Sequence, residues 1–205
     1  VQQTEVFYPD GDQETLDLRE VNHILRFSTK SIAYSILNKI TSNENNGVIF
    51  KDQGHKINNP LYHQPGSIYP QCGGKGKGTA WTKGDFFYTD EPTQHQYEDK
   101  VVMSYAGRPR ARFFSKEDGV GVCCAIYWLT DNPAYCTLLN SNLLWNLHLE
   151  IVSSKPWTNK DNPLRLNAWL IKALNFKGLT AETEEEMYDH YGLTEEEQEW
   201  ARQEA

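Results

Sequence analysis

The chain has 205 residues, 39% apolar and 12% aromatic, which is room for one domain, or a domain with a helical appendage, around a buried core. Its 23% charged residues argue against wholesale disorder, and the net charge of −8, taken alone, argues against a polyanionic partner. Apolar runs such as Val120–Leu129 are far shorter than the ~20 residues that span a bilayer, so no membrane contact is expected. No cationic-then-apolar signal opens the chain. A chain that starts on Val1 rather than Met is expected to be a fragment or to have lost a leader. Cys72, Cys123, Cys124 and Cys136 contain no Cys-x-x-Cys pair, so they read as reduced, structural thiols of a cytoplasmic protein with no bound metal.

The charge is unevenly placed. Residues 181–205 hold ten acids against Arg202 alone, a balance of −9, which leaves +1 for residues 1–180. Residues 151–180 hold five bases against Asp161. The body is therefore near neutral, with a basic stretch and an acidic tail, and DNA is not excluded by it.

In chain order, the first 25 residues read as an opening segment and a short amphipathic piece. Ile32, Ala33, Ile36, Leu37 and Ile40 then recur at helical spacing, with Ser28 or Thr29 as the cap and Asn43 to Gly47 as the stop. Val48–Lys51 is a short strand candidate. The stretch Gly54–Gly84 holds seven glycines and three prolines and predicts one long loop, a feature that is usually functional. Asp85–Thr89, Lys100–Tyr105, Ala111–Ser115 and Gly121–Thr130 carry strand composition. Asn132 and Pro133 open a helical stretch through Leu147, and Leu164–Leu174 is a further helix candidate behind Pro163. Thr183 with Glu186, and Thr194 with Glu197, fit capping boxes, and Gly192 stops the helix between them. These elements predict an α+β fold: a mixed or antiparallel sheet core with a long Gly/Pro-rich loop, flanked by helices, ending in an acidic helical tail. The divisions expected are an opening segment 1–27, a main domain 28–180 and the tail 181–205.

The chemistry-bearing motifs are few. Gly73-Gly-Lys-Gly-Lys-Gly-Thr79 has the glycine gap of a phosphate loop, but Thr79 stands where its lysine belongs. It reads as a loop whose Lys75 and Lys77 reach backbone phosphates. Arg108, Arg110 and Arg112 alternate into a strand, which points guanidinium groups to one face, suited to phosphates or guanine edges. Asn59-Pro-Leu-Tyr62 and Asn132-Pro-Ala-Tyr135 are broken forms of the Asn-Pro-Pro-Tyr that holds the target amine in amino-group DNA methyltransferases, and read as turns. Glu98 and Lys100, with Asp85 or Asp90 upstream, imitate a metal-dependent nuclease core. The six histidines include no close pair beyond His55 and His63.

Lys100–Phe114, the strand that follows, and Leu138-Leu-Asn-Ser-Asn-Leu-Leu-Trp145 resemble the C-terminal region of adenine-specific DNA methyltransferases of restriction–modification systems. The tail Thr183-Glu-Glu-Glu-Met-Tyr-Asp-His-Tyr-Gly-Leu-Thr-Glu-Glu-Glu197 resembles the ending of the same enzymes. The helix with Ser31, Ile32, Ser35, Ile36, Leu37 and Ile40 is similar to their linker into the recognition domain. The cofactor glycine strand and Asn-Pro-Pro-Tyr of the catalytic half are missing, so no catalytic residue is assigned. The resemblance implies that 28–180 is a target-recognition domain for double-stranded DNA, partnered with a catalytic methyltransferase domain or subunit. S-adenosylmethionine is implied for the full enzyme and no cofactor for this chain. The matching positions assign DNA contact to Lys75, Lys77, Lys83, Arg108, Arg110 and Arg112. Two rival readings stand beside it. One is a divalent-metal-dependent DNA endonuclease using Asp85 or Asp90 with Glu98 and Lys100. The other is an acidic DNA mimic built on the tail.

Overall fold

Nine consecutive residues, Gly121–Leu129, include Val122, Ile126, Tyr127 and Trp128, which suit a strand, and they form the longest strand among the described residues. The computed structural model describes residues 3–17, 30–51, 67–73, 86–104, 108–153 and 168–203. Within them the fold is α+β. The elements are β1 Gln3–Phe7, β2 Gln13–Asp17, α1 Ser31–Ile40, β3 Ile49–Lys51, β4 Tyr69–Gly73, β5 Phe87–Thr89, β6 Lys100–Met103, β7 Ala111–Phe114 and β8 Gly121–Leu129, then α2 Tyr135–Asn140, α3 Asn142–Ser153, α4 Ala168–Ala173, α5 Glu184–His190 and α6 Glu195–Arg202. They fall into two compact units. One comprises Gly47–Asn140 with Pro163–Leu166; the other comprises Val1–Asn46, Ser141–Asn162 and Asn167–Ala205.

The first unit is a six-stranded mixed sheet of order β5-β4-β8-β6-β7, with β3 also paired to β8. All its pairings are antiparallel except β4 with β8. Residues 126 and 127 pair with β6 on one side and with β3 on the other, so β3 and β4 share one edge of β8. Helix α2 packs on β6 and β7, with Tyr135 edge-on to Trp128 at 6.5 Å. The opposite face carries a core of Cys72, Val102, Phe114, Val122 and Tyr127. β4 lies inside the stretch expected to be one loop, and Pro70 is tolerated there because it sits where only β5 pairs with the strand. The remaining parts of that stretch, 54–66 and 74–84, lie outside the described residues.

Beneath this sheet lies a closed amide network. Gln71 and Gln96 are 0% and 2% exposed. Gln71 Nε2 donates to Gln96 Oε1 at 2.7 Å and to Thr89 Oγ1 at 3.2 Å. The Thr93 hydroxyl donates to Gln71 Oε1 at 2.8 Å, and Gln96 Nε2 donates to the Pro70 carbonyl at 3.1 Å and to that of Gly119. These groups crowd the backbone of Gly121. A Cβ there would lie 2.1 Å from Gln71 Oε1, 2.3 Å from Thr93 Oγ1 and 2.4 Å from Gln96 Oε1.

The second unit opens with a hairpin of β1 and β2 in the opening segment; the amphipathic piece expected from Leu18 to Leu25 lies outside the described residues. Tyr8-Pro-Asp-Gly11 makes its turn: the Tyr8 N–H donates to Asp12 O at 2.8 Å and the Gly11 N–H to Tyr8 O at 3.0 Å, with Gly11 at φ +94°. Helix α1 buries Ala33, Tyr34, Ile36, Leu37 and Ile40. Its N-cap is Lys30, which makes no side-chain cap bond. The Asp10 carboxylate accepts the Ser31 N–H at 2.9 Å instead. The expected caps of α5 and α6 are present. Thr183 accepts from the Glu186 N–H, and Thr194 with Glu197 forms a full capping box. Glu197 is 3% exposed and also holds Ser35 at 2.6 Å and Lys39 at 2.5 Å. Burial alone would raise its pKa, but the bonds from Lys39, Ser35 and the Thr194 N–H outweigh that and hold the carboxyl below its ordinary value. Asn146 Nδ2, from α3, donates to Ala201 O at 3.1 Å and Gln203 O at 2.9 Å, closing the C-terminus of α6.

Two outcomes follow from this packing. Gly121→Ala forces a methyl into three bonded oxygens and is expected to cost about 2–3 kcal/mol, read as a lower urea midpoint at unchanged slope. His148 on α3 is fully buried, with its ring stacked on Trp145 at 5.4 Å, and burial pushes its pKa down to about 4. The unfolded chain takes up this proton near the ordinary 6.5. Stability is therefore full above that pH and falls by about 3 kcal/mol as the pH drops to 4. Urea titrations across this window are expected to show the loss, and His148→Phe to remove that part of it.

Candidate nucleic-acid interface

The sheet register decides which basic segments meet. β3 runs antiparallel to β8 and β4 runs parallel to it along the same edge, so the two strands approach each other head-on. β3 ends at Lys51 beside Ala125, and β4 ends at Gly73 beside Cys124, where the pairing register also shifts. Neither strand can continue along β8 past the other, so both pairings with this edge of β8 end here. On the other edge of β8, β6 ends at Met103 beside Ile126. The turn that follows is tied by the Ser104 N–H to Arg110 O at 3.0 Å and the Arg110 N–H to Ser104 Oγ at 3.2 Å. Three segments thus attach to the sheet within two residues of one level of β8. They span three inter-strand spacings, about 14 Å.

Those segments carry the basic residues singled out from sequence. Lys75, Lys77 and Lys83 belong to 74–85, outside the described residues but joined to the sheet at Gly73. Arg108 and Arg110 lie in the turn before β7 and Arg112 on β7, and all three are exposed. Strand alternation places Arg110, Arg112 and Phe114 on one face. Because Arg112 pairs with Val102, that face is the core side of the sheet and not the α2 side. The Arg112 guanidinium lies over the Phe114 ring, 4.9 Å from its centroid. Among the described residues, no carboxylate forms an ion pair with Arg110 or Arg112.

β7 ends the sheet, yet its outer side is covered. Asn140, at the end of α2, accepts the Ala111 N–H at 2.6 Å and donates to the Ala111 carbonyl at 3.0 Å. One residue pair along, burial raises the Cys136 thiol to about 11, opposed by a backbone hydrogen bond from Phe113. An amide side chain and a thiol on α2 therefore stand where another strand would pair. This closure holds the arginine strand in place without obstructing its face. The sequence pattern did not reveal it; the only signal available was an asparagine in an otherwise apolar helix end.

Other sequence-singled residues are engaged elsewhere. Lys100 is fully buried and donates to the Gln96 and Glu98 carbonyls, and burial lowers its pKa. Glu98 pairs with His95 at 2.9 Å, and Asp90 accepts from Ser67 at 2.5 Å. Asp85 lies outside the described residues. Among the described residues no group of three or more His, Cys, Asp and Glu is placed to hold a metal ion. Asn132 Oδ1 accepts the Ala134 N–H at 3.0 Å, so Asn132-Pro-Ala-Tyr135 makes the turn that starts α2; Asn59 and its neighbours lie outside the described residues. In the helical unit a cleft of about 570 Å³ is lined by Tyr8, Asp12, Glu14, Ser35, Lys39 and Glu197. Its buried groups are bonded to one another. Among the described residues no helix is long and apolar enough to cross a membrane.

No family model, curated protein or solved structure matches the chain. Replacing Asn140 with Leu removes both bonds to Ala111. Amide exchange at Ala111 is expected to accelerate by about one order of magnitude, followed by NMR, with β8 amides unchanged.

Proposed function

We propose that the chain recognises double-stranded DNA where these segments attach to the six-stranded sheet. It would serve as the target-recognition part of an adenine-specific DNA methyltransferase of a restriction–modification system. S-adenosylmethionine and the catalytic residues would then come from another domain or subunit, because no residue here is assigned to that chemistry. The observation that carries the reading is the register of β8. It gathers the attachment points of 74–85, with Lys75, Lys77 and Lys83, and of the turn with Arg108 and Arg110 within about 14 Å. That span is close to the ~12 Å width of a DNA major groove. The exposed, acid-free guanidinium groups of Arg110 and Arg112 support it further, since such groups suit phosphates and base edges.

The acidic tail does not oppose this reading. Its acids concentrate in the first turns of α5 and α6, where they complement the helix N-termini.

Mobility shifts of a duplex pool at 50 mM salt test it. The chain is expected to retard duplex DNA, with affinity falling steeply as salt rises. Replacing Arg108, Arg110 and Arg112 together with Ala is expected to weaken binding by about one to two orders of magnitude and to flatten the salt dependence. Absence of any shift by the parent chain at low salt would overturn the reading.

A further inference from the structure

Arg110 and Arg112 share a face but differ in how they are held, and this separates their roles. Arg110 is fixed through its backbone alone in the bonds described above. Arg112 lies on Phe114, which is 1% exposed and wedged edge-on against Phe86 at 6.1 Å. The ring under Arg112 is therefore a rigid core element, and the guanidinium on it is confined to a plane. Its neighbours across the sheet, Val102 and then Tyr127, offer no carboxylate. A planar fork whose orientation is fixed before binding loses little rotamer freedom on docking. A phosphate, approached from many directions, draws little from that fixing. The hydrogen-bonding edge of a guanine needs two parallel donors at a defined angle.

We propose that Arg112 is the specificity-determining residue of the sheet face, reading a guanine edge with its fork, while Arg110 supplies charge to phosphate. The assignment rests on the DNA reading and goes beyond it by naming what one residue recognises. The Phe114 platform predicts that planarity, not charge, matters at position 112.

The test uses the full chain and a pool of 30-bp duplexes with a randomised centre, selected for binding at 50 mM salt. The best selected duplex is then compared with a scrambled duplex of equal composition. Arg112→Lys keeps the charge and removes the planar fork. It is expected to reduce the preference for the selected duplex by about 5- to 100-fold while leaving the salt slope unchanged. Arg110→Lys is expected to keep the preference. Arg110→Ala is expected to lower binding to both duplexes alike, with a salt slope reduced by about one. Unchanged preference in Arg112→Lys, or equal loss on both duplexes in Arg112→Ala with a shallower slope, would make Arg112 a phosphate contact and overturn the assignment while the DNA reading stands. A parent chain that binds no duplex overturns the DNA reading, and the assignment with it. Far-ultraviolet circular dichroism of each variant separates lost recognition from lost folding, and Arg112→Lys leaves the Phe114 ring and the core beneath it intact.

Discussion

The sheet of the first unit depends on one strand serving three partners. β8 carries β6 on one side and divides its other side between β4 and β3. The arrangement works only because β4 stops where β3 stops. Had either strand been longer by two residues, it would have displaced the other from β8. That length limit brings the two strand ends, Lys51 and Gly73, to neighbouring levels of β8, and these are the points at which 52–66 and 74–85 are joined to the sheet.

The same strand imposes a steric condition at its beginning. Gly121 lets Gln71 on β4 and the loop residues Thr93 and Gln96 close around the backbone. The two glutamines then satisfy one another and the carbonyls of Pro70 and Gly119, so a buried polar cluster carries its own hydrogen-bond partners. A buried amide network of this kind is intolerant of small shifts. It fixes Gln71 and Cys72 of β4 against Gly121 and Val122 of β8, just before the register shifts at Gly73.

Much of this architecture was legible in the chain. Alternation and β-branched or aromatic composition marked β3, β5, β6, β7 and β8 to within a few residues, and the spacing of Ile32, Ile36, Leu37 and Ile40 marked α1. Capping chemistry located α5 and α6, because a threonine followed three residues later by glutamate satisfies backbone N–H groups by purely local geometry. What local pattern could not supply were the partners brought from afar. The Ser31 N–H at the start of α1 is satisfied by Asp10, while Ser28 and Thr29 lie outside the described residues. The end of α6 is closed by Asn146, and the edge of β7 by Asn140. β4 was hidden by its Pro70 and flanking glycines, because pairing to β5 and β8 outweighs its weak propensity. The hairpin at the start did leave a signal in Tyr8-Pro-Asp-Gly11, a strong turn sequence between alternating residues. Of the six candidate DNA-contacting residues, the alternation of the arginines placed Arg110 and Arg112 on one face. That the strand ends Gly73 and Met103 fall at neighbouring levels of β8 is a property of strand register, which no local pattern encodes.

The net charge illustrates the same limit in electrostatic terms. An overall −8 describes the average field far from the protein, whereas binding is governed within a Debye length of about 10 Å. Glu184, Glu185 and Glu186 open α5, and Glu195, Glu196 and Glu197 open α6. Each group faces the partial positive charge of a helix N-terminus. Glu197 is further neutralised by Lys39. These acids therefore have local work in holding two short helices that propensity alone would leave marginal. Arg110 and Arg112 have no comparable local acid among the described residues. A basic group left without an acid partner on a rigid sheet face keeps its full charge for whatever docks there, and that contrast says more about partners than the sum of charges does.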